Sequence, residues 1–195
     1  MSIIRITPPA VEPISLAEAR AQCRIADDDT SEDALLAIYI QAARETAEHE
    51  LGRALIEQTW EQRLDVFSAG DIGIKLGRAM ATSIVQVQYN DPTLALQTMD
   101  PESYLLDAAV APGWLMPADG SAWPATAEVI NAVRVRFTCG YGAGAGSIPA
   151  NVRNWLLVTV ATYYGQREAV DMGGRVRELP ARFIDRLLDS ERYYG

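Results

Sequence analysis

Ser31-Glu-Asp-Ala-Leu-Leu-Ala-Ile-Tyr-Ile-Gln-Ala-Ala-Arg-Glu-Thr-Ala-Glu-His-Glu-Leu51 is the stretch that decides the fold. Its apolar residues recur at three- and four-residue spacing, which places them on one face of a helix. Thr30 or Ser31 can cap that helix, and Gly52 can end it. The apolar face comprises Leu36, Tyr39, Ile40, Ala43, Ala47 and Leu51. Small side chains at Ala42, Ala43 and Ala47 predict close packing against another helix, with Arg44, Glu45, Glu48 and Glu50 mostly on the remaining surface.

Two further helices flank this one along the chain. Ser15 and Glu18 have the spacing of a capping box and predict a short helix from about Leu16 to Ile25. Pro149, a residue favoured at the first helical position, predicts a later helix that extends to Glu168. The later helix presents an apolar face for the long helix, made of Val152, Leu156, Val160 and Tyr163.

The segment from Thr59 to Gly142 has the two-residue periodicity of β-strands. Turn sequences at Ala69-Gly70-Asp71, Asn90-Asp91-Pro92 and Ala118-Asp119-Gly120 separate the runs, which favours antiparallel connections. In the last run the apolar residues from Val133 to Cys139 alternate with Arg134, Arg136 and Thr138, as in a strand with one solvated side. The predicted strand runs are Trp60–Val66, Ile72–Leu76, Ile84–Tyr89, Tyr104–Leu106 and Val133–Cys139.

Together these patterns predict an α+β fold, in which a helical bundle formed by the N- and C-terminal helices carries an inserted antiparallel β-rich lobe. The predicted division is an N-terminal helical part at 1–58, a β-rich insert at 59–142, a C-terminal helix completing the helical part at 143–170, and a tail with a short amphipathic helix at 171–195.

Charge is distributed unevenly along the chain. The formal net charge is -9, which argues against tight DNA binding, because that affinity comes from basic residues neutralising phosphates. Residues 1–133 hold 8 basic and 20 acidic residues, a net of -12, whereas residues 134–195 hold 9 and 6, a net of +3. This asymmetry suits a head-to-tail contact between copies, although ordinary solvated charge is the alternative.

No motif for catalysis, a cofactor or a metal is found. His49 is the only histidine, so a zinc protease motif lacks its second imidazole; a surface position beside Glu45 is expected. The run from Asp27 to Asp33 lacks the frame of a calcium loop. The glycine loop at 140–147 has neither the dinucleotide nor the P-loop spacing, which leaves a hinge or a close backbone crossing. We therefore predict no catalytic residues, no cofactor and no metal.

The sequence also predicts where the protein resides. No run approaches the roughly 18 apolar residues that a membrane helix needs, and the N-terminus lacks the apolar region of a signal peptide. Cys23 and Cys139 stand too far apart for a CxxC pair, so both are expected to be free thiols. The expected location is the cytosol.

Several short strings occur in an order that resembles the head-tail connector (head-completion adaptor) proteins of tailed phages and prophages, in the longer form with a strand-rich insert. The resemblance extends from about Pro8 to Glu168. The strings include Pro13-Ile-Ser-Leu-Ala-Glu-Ala-Arg20, Gly52-Arg-Ala-Leu-Ile56, Gln58-Thr-Trp60, Tyr104-Leu-Leu-Asp107, Val135-Arg-Phe-Thr-Cys-Gly-Tyr-Gly142 and Tyr163-Tyr-Gly-Gln-Arg-Glu168.

The resemblance implies a structural, non-enzymatic protein that assembles into a ring under the portal vertex and joins it to head-closure or tail proteins. It also implies that DNA passes through the ring without sequence-specific binding, with no membrane and no small-molecule substrate involved. The chain would reside in the virion at the head-tail junction, and in the host cytoplasm before assembly. Two alternatives stay open, a nucleic-acid-binding module associated with DNA packaging and, less favoured, a small enzyme with a polar pocket around His49.

Three sets of residues are candidates for subunit or portal contacts. The first is the small helix face at Ala43 and Ala47. The second is a set of cations, Arg134, Arg136, Arg153 and Arg167, as partners for the acidic N-terminal part of a neighbouring copy. The third is an apolar stripe in the tail, where a short helix could dock on a partner or pack against its own subunit. That stripe comprises Phe183, Ile184, Leu187 and Leu188.

Overall fold

A computed structural model describes residues 2–68, 73–78, 80–109, 111–167 and 186–192. The chain divides into two compact units. The sheet unit is built from Met1–Ala10 and Glu57–Tyr141, and the helix unit from Val11–Ile56 and Gly142–Tyr194. Residues 1–10, grouped with the helical part in the sequence analysis, thus lie in the sheet unit.

The long helices in the described part of the helix unit are α1 (Leu16–Cys23), α2 (Asp33–Leu51) and α3 (Ala150–Gly165). The capping box predicted for α1 is confirmed: Glu18 N donates to Ser15 Oγ at 3.2 Å, and Ser15 N donates to Glu18 Oε2 at 2.8 Å. Gly52, at φ +67°, ends α2 as predicted. Helix α3 begins directly after Pro149 and ends at Gly165, short of the predicted Glu168.

The start of α2 differs from the prediction. Neither Thr30 nor Ser31 caps the helix, and Glu32 occupies the N-cap position without a side-chain cap bond. The Ser31 hydroxyl instead donates to Asp29 Oδ1 at 2.6 Å, and the Ser31 N–H donates to the same oxygen at 3.0 Å. The Ser31 side chain is therefore bonded to Asp29 in a local turn and does not cap the helix.

The core of the helix unit lies between the predicted apolar faces of α2 and α3. The α2 face contributes Leu36, Ile40, Ala43, Ala47 and Leu51, and α3 contributes Val152, Trp155, Leu156 and Val160, all of them buried. The expectation that Arg44 and Glu48 lie on the surface of α2 is wrong, because both are buried. They are buried together as an ion pair, as described below.

Among the residues that the structure describes, the sheet unit has eight strands, and the pairings between them are antiparallel. A five-stranded sheet has the order β1-β2-β8-β4-β5, and a three-stranded sheet has the order β3-β7-β6. The strands are β1 (Ser2–Thr7), β2 (Gln58–Leu64), β3 (Ile74–Lys75), β4 (Ala81–Asn90), β5 (Leu96–Thr98), β6 (Tyr104–Asp107), β7 (Trp114–Pro117) and β8 (Val133–Cys139).

Strand β8 is the centre of the larger sheet and alternates as predicted. Val133, Val135, Phe137 and Cys139 are fully buried, whereas the residues between them are half-buried. On β2, Gln62 also faces the interior, where its side chain bonds to Lys75 O at 3.0 Å and Gly77 N at 2.6 Å. These two bonds join the region of β3 to the larger sheet.

The α+β fold predicted from the sequence, with an antiparallel β-rich lobe between helices, is confirmed. Strands β1, β5 and β7 are additions to the prediction. Strands β1 and β5 lie at the two edges of the five-stranded sheet and are largely exposed, so neither shows an inward-outward alternation. The predicted turn at 69–71 lies outside the described residues.

Candidate assembly surfaces

The small helix face at Ala43 and Ala47 is part of the core in this chain. Both side chains have 0% exposure, and the rings of Tyr39 on α2 and Tyr163 on α3 lie 6.0 Å apart. The predicted close approach of two helices is thus made within the helix unit. A contact between copies through Ala43 or Ala47 stays a prediction.

Arg44 organises an ionic cluster that the sequence analysis missed. Its Nε donates to Glu12 Oε2 at 2.8 Å and its Nη1 to Glu48 Oε2 at 3.1 Å. Glu48 Oε1 also accepts from the backbone N–H of Leu55 at 3.0 Å. Burial alone would lower the Arg44 pKa, but the hydrogen bond and charge of Glu12, with Glu48 and Glu45, raise it above its ordinary value. Arg44 therefore stays charged in the interior.

Arg153 connects α3 to the start of α1. Its Nη1 donates to Pro13 O at 2.7 Å and to Ala145 O at 3.1 Å, and its Nη2 pairs with Glu18. Glu18 is the acidic member of the capping box, and the backbone hydrogen bond from Ser15 is the largest reason that its pKa is lowered. The Arg153 guanidinium therefore binds partners within the helix unit.

Arg167 is likewise paired within its unit. Its Nη1 lies 2.8 Å from Glu32 Oε1, and its guanidinium lies 4.6 Å from the ring centroid of Tyr164. The Tyr164 hydroxyl donates to the same carboxylate. The hydrogen bond from Arg167 is the main cause of the lowered Glu32 pKa. This cluster binds the end of α3 to the start of α2.

The solvated face of the five-stranded sheet carries a second ionic cluster. Glu61 is only 3% exposed and accepts from Arg63 and Arg136, each at 2.8 Å. Burial would raise the Glu61 pKa, but the hydrogen bonds from Arg136 and Arg63 lower it. Glu61 lies on the solvated face of the sheet, but the two guanidinium groups cover it.

Arg134 is the one member of the predicted cation set without a carboxylate partner in the described ranges. It lies directly opposite Arg63 in the pairing of β2 with β8. Its buried Nε finds no hydrogen-bond acceptor among those residues. Because like charges directly opposite one another repel, this pair raises the energy of the isolated sheet.

The C-terminal candidates divide between described and undescribed residues. Phe183 and Ile184 lie outside the described residues. Leu187 and Leu188 lie in a single helical turn at 186–189, where Leu188 is 1% exposed and Leu187 O accepts from Asn151 Nδ2 at 2.7 Å. This arrangement agrees with the alternative in which the stripe packs against its own subunit.

An open cleft of about 680 Å³ lies in the sheet unit and was not predicted. The rings of Phe67 and Trp123 stack in it, 4.8 Å apart with an angle of 4° between their planes. Val66 and Ile130 line it and are 63% and 82% exposed. The cleft is a partly apolar surface that contains no histidine or cysteine.

Within the described ranges, no group of three or more metal-ligating side chains and no helix able to cross a membrane is found. His49 is exposed on α2. One position in the glycine loop requires glycine. At Gly142, φ is +154° and an added Cβ would lie 2.5 Å from Ser147 Oγ. The contact is with a side chain, so the choice between a hinge and a close backbone crossing stays a prediction.

Comparisons with known proteins give two kinds of similarity. Residues 13–92 match the family described as phage gp6-like head-tail connector protein. Among solved structures, a chain from the neck of an empty GTA particle computed with C6 symmetry matches with a TM-score of 0.80 and 22% identity, covering 100% of this chain and 97% of the other. No curated protein matches the sequence.

Two other solved chains give the same result with equal coverage. One is from the virion of the native gene transfer agent (GTA) particle, with a TM-score of 0.79 and 21% identity. The other is from the neck of the native GTA particle computed with C12 symmetry, with a TM-score of 0.72 and 21% identity. The fold of the whole chain is therefore that of these particle components. The resemblance to head-tail connector proteins is thus confirmed, with the match to the phage gp6-like family lying at residues 13–92.

Proposed function

We propose that this protein is a structural head-tail connector that oligomerises into a ring under the portal and links it to head-closure or tail proteins during virion assembly. The observation that carries the proposal is the fold, which matches a chain of a GTA particle neck over 100% of the present chain. The connector family match at residues 13–92 supports the same role.

A ring requires two different surfaces on each copy that fit one another. The neck structures with this fold were computed with C6 and C12 symmetry, which supports a ring here. Of the predicted cations, Arg136, Arg153 and Arg167 already bind carboxylates of their own chain, so Arg134 is the one best suited to a contact between copies. Apolar contacts supply most of the assembly energy, because exposed ion pairs contribute only about 0.2 to 1 kcal/mol each.

The proposed location is the head-tail junction of the virion, with the free chain in the host cytoplasm beforehand. DNA passes through the ring, and a formal net charge of -9 suits a protein that does not hold it. Portal and head-closure or tail proteins are the proposed partners. The exposed Val66 and Ile130 of the cleft are candidates for contact with them.

A role without catalysis fits the family and the fold neighbours, which are structural components of particles. The small-enzyme alternative expects a polar pocket around His49. That histidine is exposed on α2, whereas the cleft is lined by residues 65–68 and 122–130 of the sheet unit. No observation favours the enzyme.

Deletion of the gene from a phage or prophage that encodes this chain tests the proposal. We expect filled or partly filled heads and free tails that fail to join, and joined particles when the wild-type chain is supplied in trans. Normal joined particles in the deletion strain would overturn the proposal. The nucleic-acid alternative instead predicts that the purified chain is retained on duplex DNA, with a steep loss of retention as salt rises.

A further inference from the structure

Two like-charged clusters in this chain are incompletely neutralised. The first lies on the solvated face of the five-stranded sheet, where Arg63, Arg134 and Arg136 share a single carboxylate, Glu61. Three guanidinium groups against one carboxylate leave this face with an excess of positive charge. Arg134 stands opposite Arg63 and, in the described part of the chain, has no ion-pair partner.

On the neighbouring strands β4 and β5, the described residues in register with these arginines are polar and uncharged. The cross-strand register places Gln86 next to Arg136 and Gln88 next to Arg134, followed by Thr98 on β5. The side chains of Gln86, Gln88 and Thr98 hydrogen-bond along the sheet, with Gln88 Nε2 at 3.2 Å from Thr98 Oγ1. The face is therefore a polar, positively charged surface in a chain that is acidic as a whole.

The second cluster is the turn between α1 and α2, made of Asp27, Asp28 and Asp29. All three aspartates are exposed. Asp29 is held by Ser31, but the side chains of Asp27 and Asp28 form no ion pair or hydrogen bond within the described residues. The charge of Arg20 also helps to lower the pKa of Asp29, so Asp27 and Asp28 are the carboxylates of this turn that the described residues leave without a cation.

We propose that these two clusters bind each other between neighbouring copies: the sheet face around Arg134 of one copy receives the Asp27–Asp29 turn of the next. This inference rests on the proposed ring. The opposite charges of the two clusters favour this pairing over a contact between two like surfaces, so the contact specifies both register and direction. The basic cluster belongs to the sheet unit and the acidic one to the helix unit, and a heterologous contact pairs two different surfaces.

Chemical cross-linking tests the contact, because Lys75 is the only lysine in the chain. Arg134→Lys preserves the charge and adds one amine that a carbodiimide can join directly to a carboxylate. An equal mixture of isotopically labelled and unlabelled copies identifies links between chains by mass spectrometry. We expect links from position 134 to Asp27, Asp28 or Asp29 of another copy in assembled necks, with Lys75 links as the internal control.

Charge reversal provides the second arm. Arg134→Glu and Asp28→Arg should each weaken self-association at low salt by roughly three- to tenfold, and the double variant should recover most of that loss. Arg186→Glu, at an exposed position on the 186–189 turn, is the matched control and should change little. Thermal melting should show no loss for Arg134→Glu, because a glutamate opposite Arg63 removes a repulsion.

The outcomes separate this inference from the proposed function. Rings that form in assembled necks without the cross-link, or a double variant no better than either single one, overturn the inference alone. Duplex DNA retention that is lost in Arg134→Glu, with no cross-link between copies, assigns the face to phosphates and also overturns it. Failure of the wild-type chain to join necks at all overturns both the inference and the proposed function.

Discussion

At the scale of single residues, Glu61 shows how this chain keeps a charge inside a sheet. A buried carboxylate is costly unless it is paired, and Glu61 is paired twice, with Arg63 and Arg136 at 2.8 Å each. The two arginines also cover it, which leaves it 3% exposed. One carboxylate therefore fixes two strands through their side chains as well as through the backbone ladder.

Glu61→Gln tests this account. We expect the variant to lose about 1 to 3 kcal/mol in free energy of unfolding at pH 7, because three arginines are then left on the face without a carboxylate. The folded pKa of Glu61 lies below its ordinary value of 4.5, so its contribution is complete above pH 4.5 and is lost as the pH falls through the folded pKa. Denaturant titrations at a series of pH values measure the difference.

The matched control is Glu102→Gln, at an exposed glutamate of the same unit. It should change the free energy of unfolding by no more than about 0.5 kcal/mol at any pH. A loss in Glu61→Gln that persists undiminished in acid would show that the charge is not what stabilises the sheet.

Gly142 gives a second prediction at this scale. Gly142→Ala should lower the melting temperature and cost about 1 to 3 kcal/mol, because the new methyl group meets Ser147 and φ is +154°. Gly144→Ala is the control from the same loop, where an added Cβ meets nothing within 4 Å. Equal melting temperatures for the two variants, measured by calorimetry, would contradict the close contact and the positive φ at position 142.

Residue-level features were predictable from the sequence where the partners are close in the chain. Ser15 and Glu18 form the expected capping box, because that contact spans three residues. The burial of Arg44 and Glu61 was not predictable, because their partners are distant. Glu12 is 32 residues from Arg44, and Arg136 is 75 residues from Glu61. Without those partners, a charged side chain on an alternating pattern is expected to be solvated.

At the scale of elements, periodicity identified the parts of the chain that bury one face. Strand β8 and helix α2 have strong patterns and were predicted with nearly correct bounds. Strands β1 and β5 were missed because an exposed edge strand has no buried face to mark it. The pattern of the tail predicted either docking on a partner or packing against its own subunit, since an amphipathic pattern does not indicate which surface the helix covers.

The described C-terminal turn allows a prediction about that choice. Leu188→Ala should destabilise the free chain by about 2 to 5 kcal/mol, because its side chain is 1% exposed. Leu105→Ala, at a leucine that is 59% exposed, is the control and should change stability little. Deletion of residues 173–195 should likewise lower the melting temperature of the free chain. A stable deletion variant that fails only to join its partner would favour docking instead.

At the scale of the whole molecule, the chain has a fold that is found in particle necks. Its described residues include no metal-ligating cluster, and they carry two surfaces of opposite charge. The family resemblance could be predicted from the order of short strings along the chain. The assembly surfaces could be predicted only in part. Arg153 and Arg167 carry the charge expected of contact residues, yet their carboxylate partners in the helix unit became evident only from the folded chain.

Electron microscopy of necks from particles that carry this chain with an affinity label tests the central claim most directly. We expect the label on a closed ring at the head-tail junction, between the portal and the first tail protein, with each copy in contact with two neighbours. Label in the head interior, on tails alone, or absent from purified particles would contradict the account.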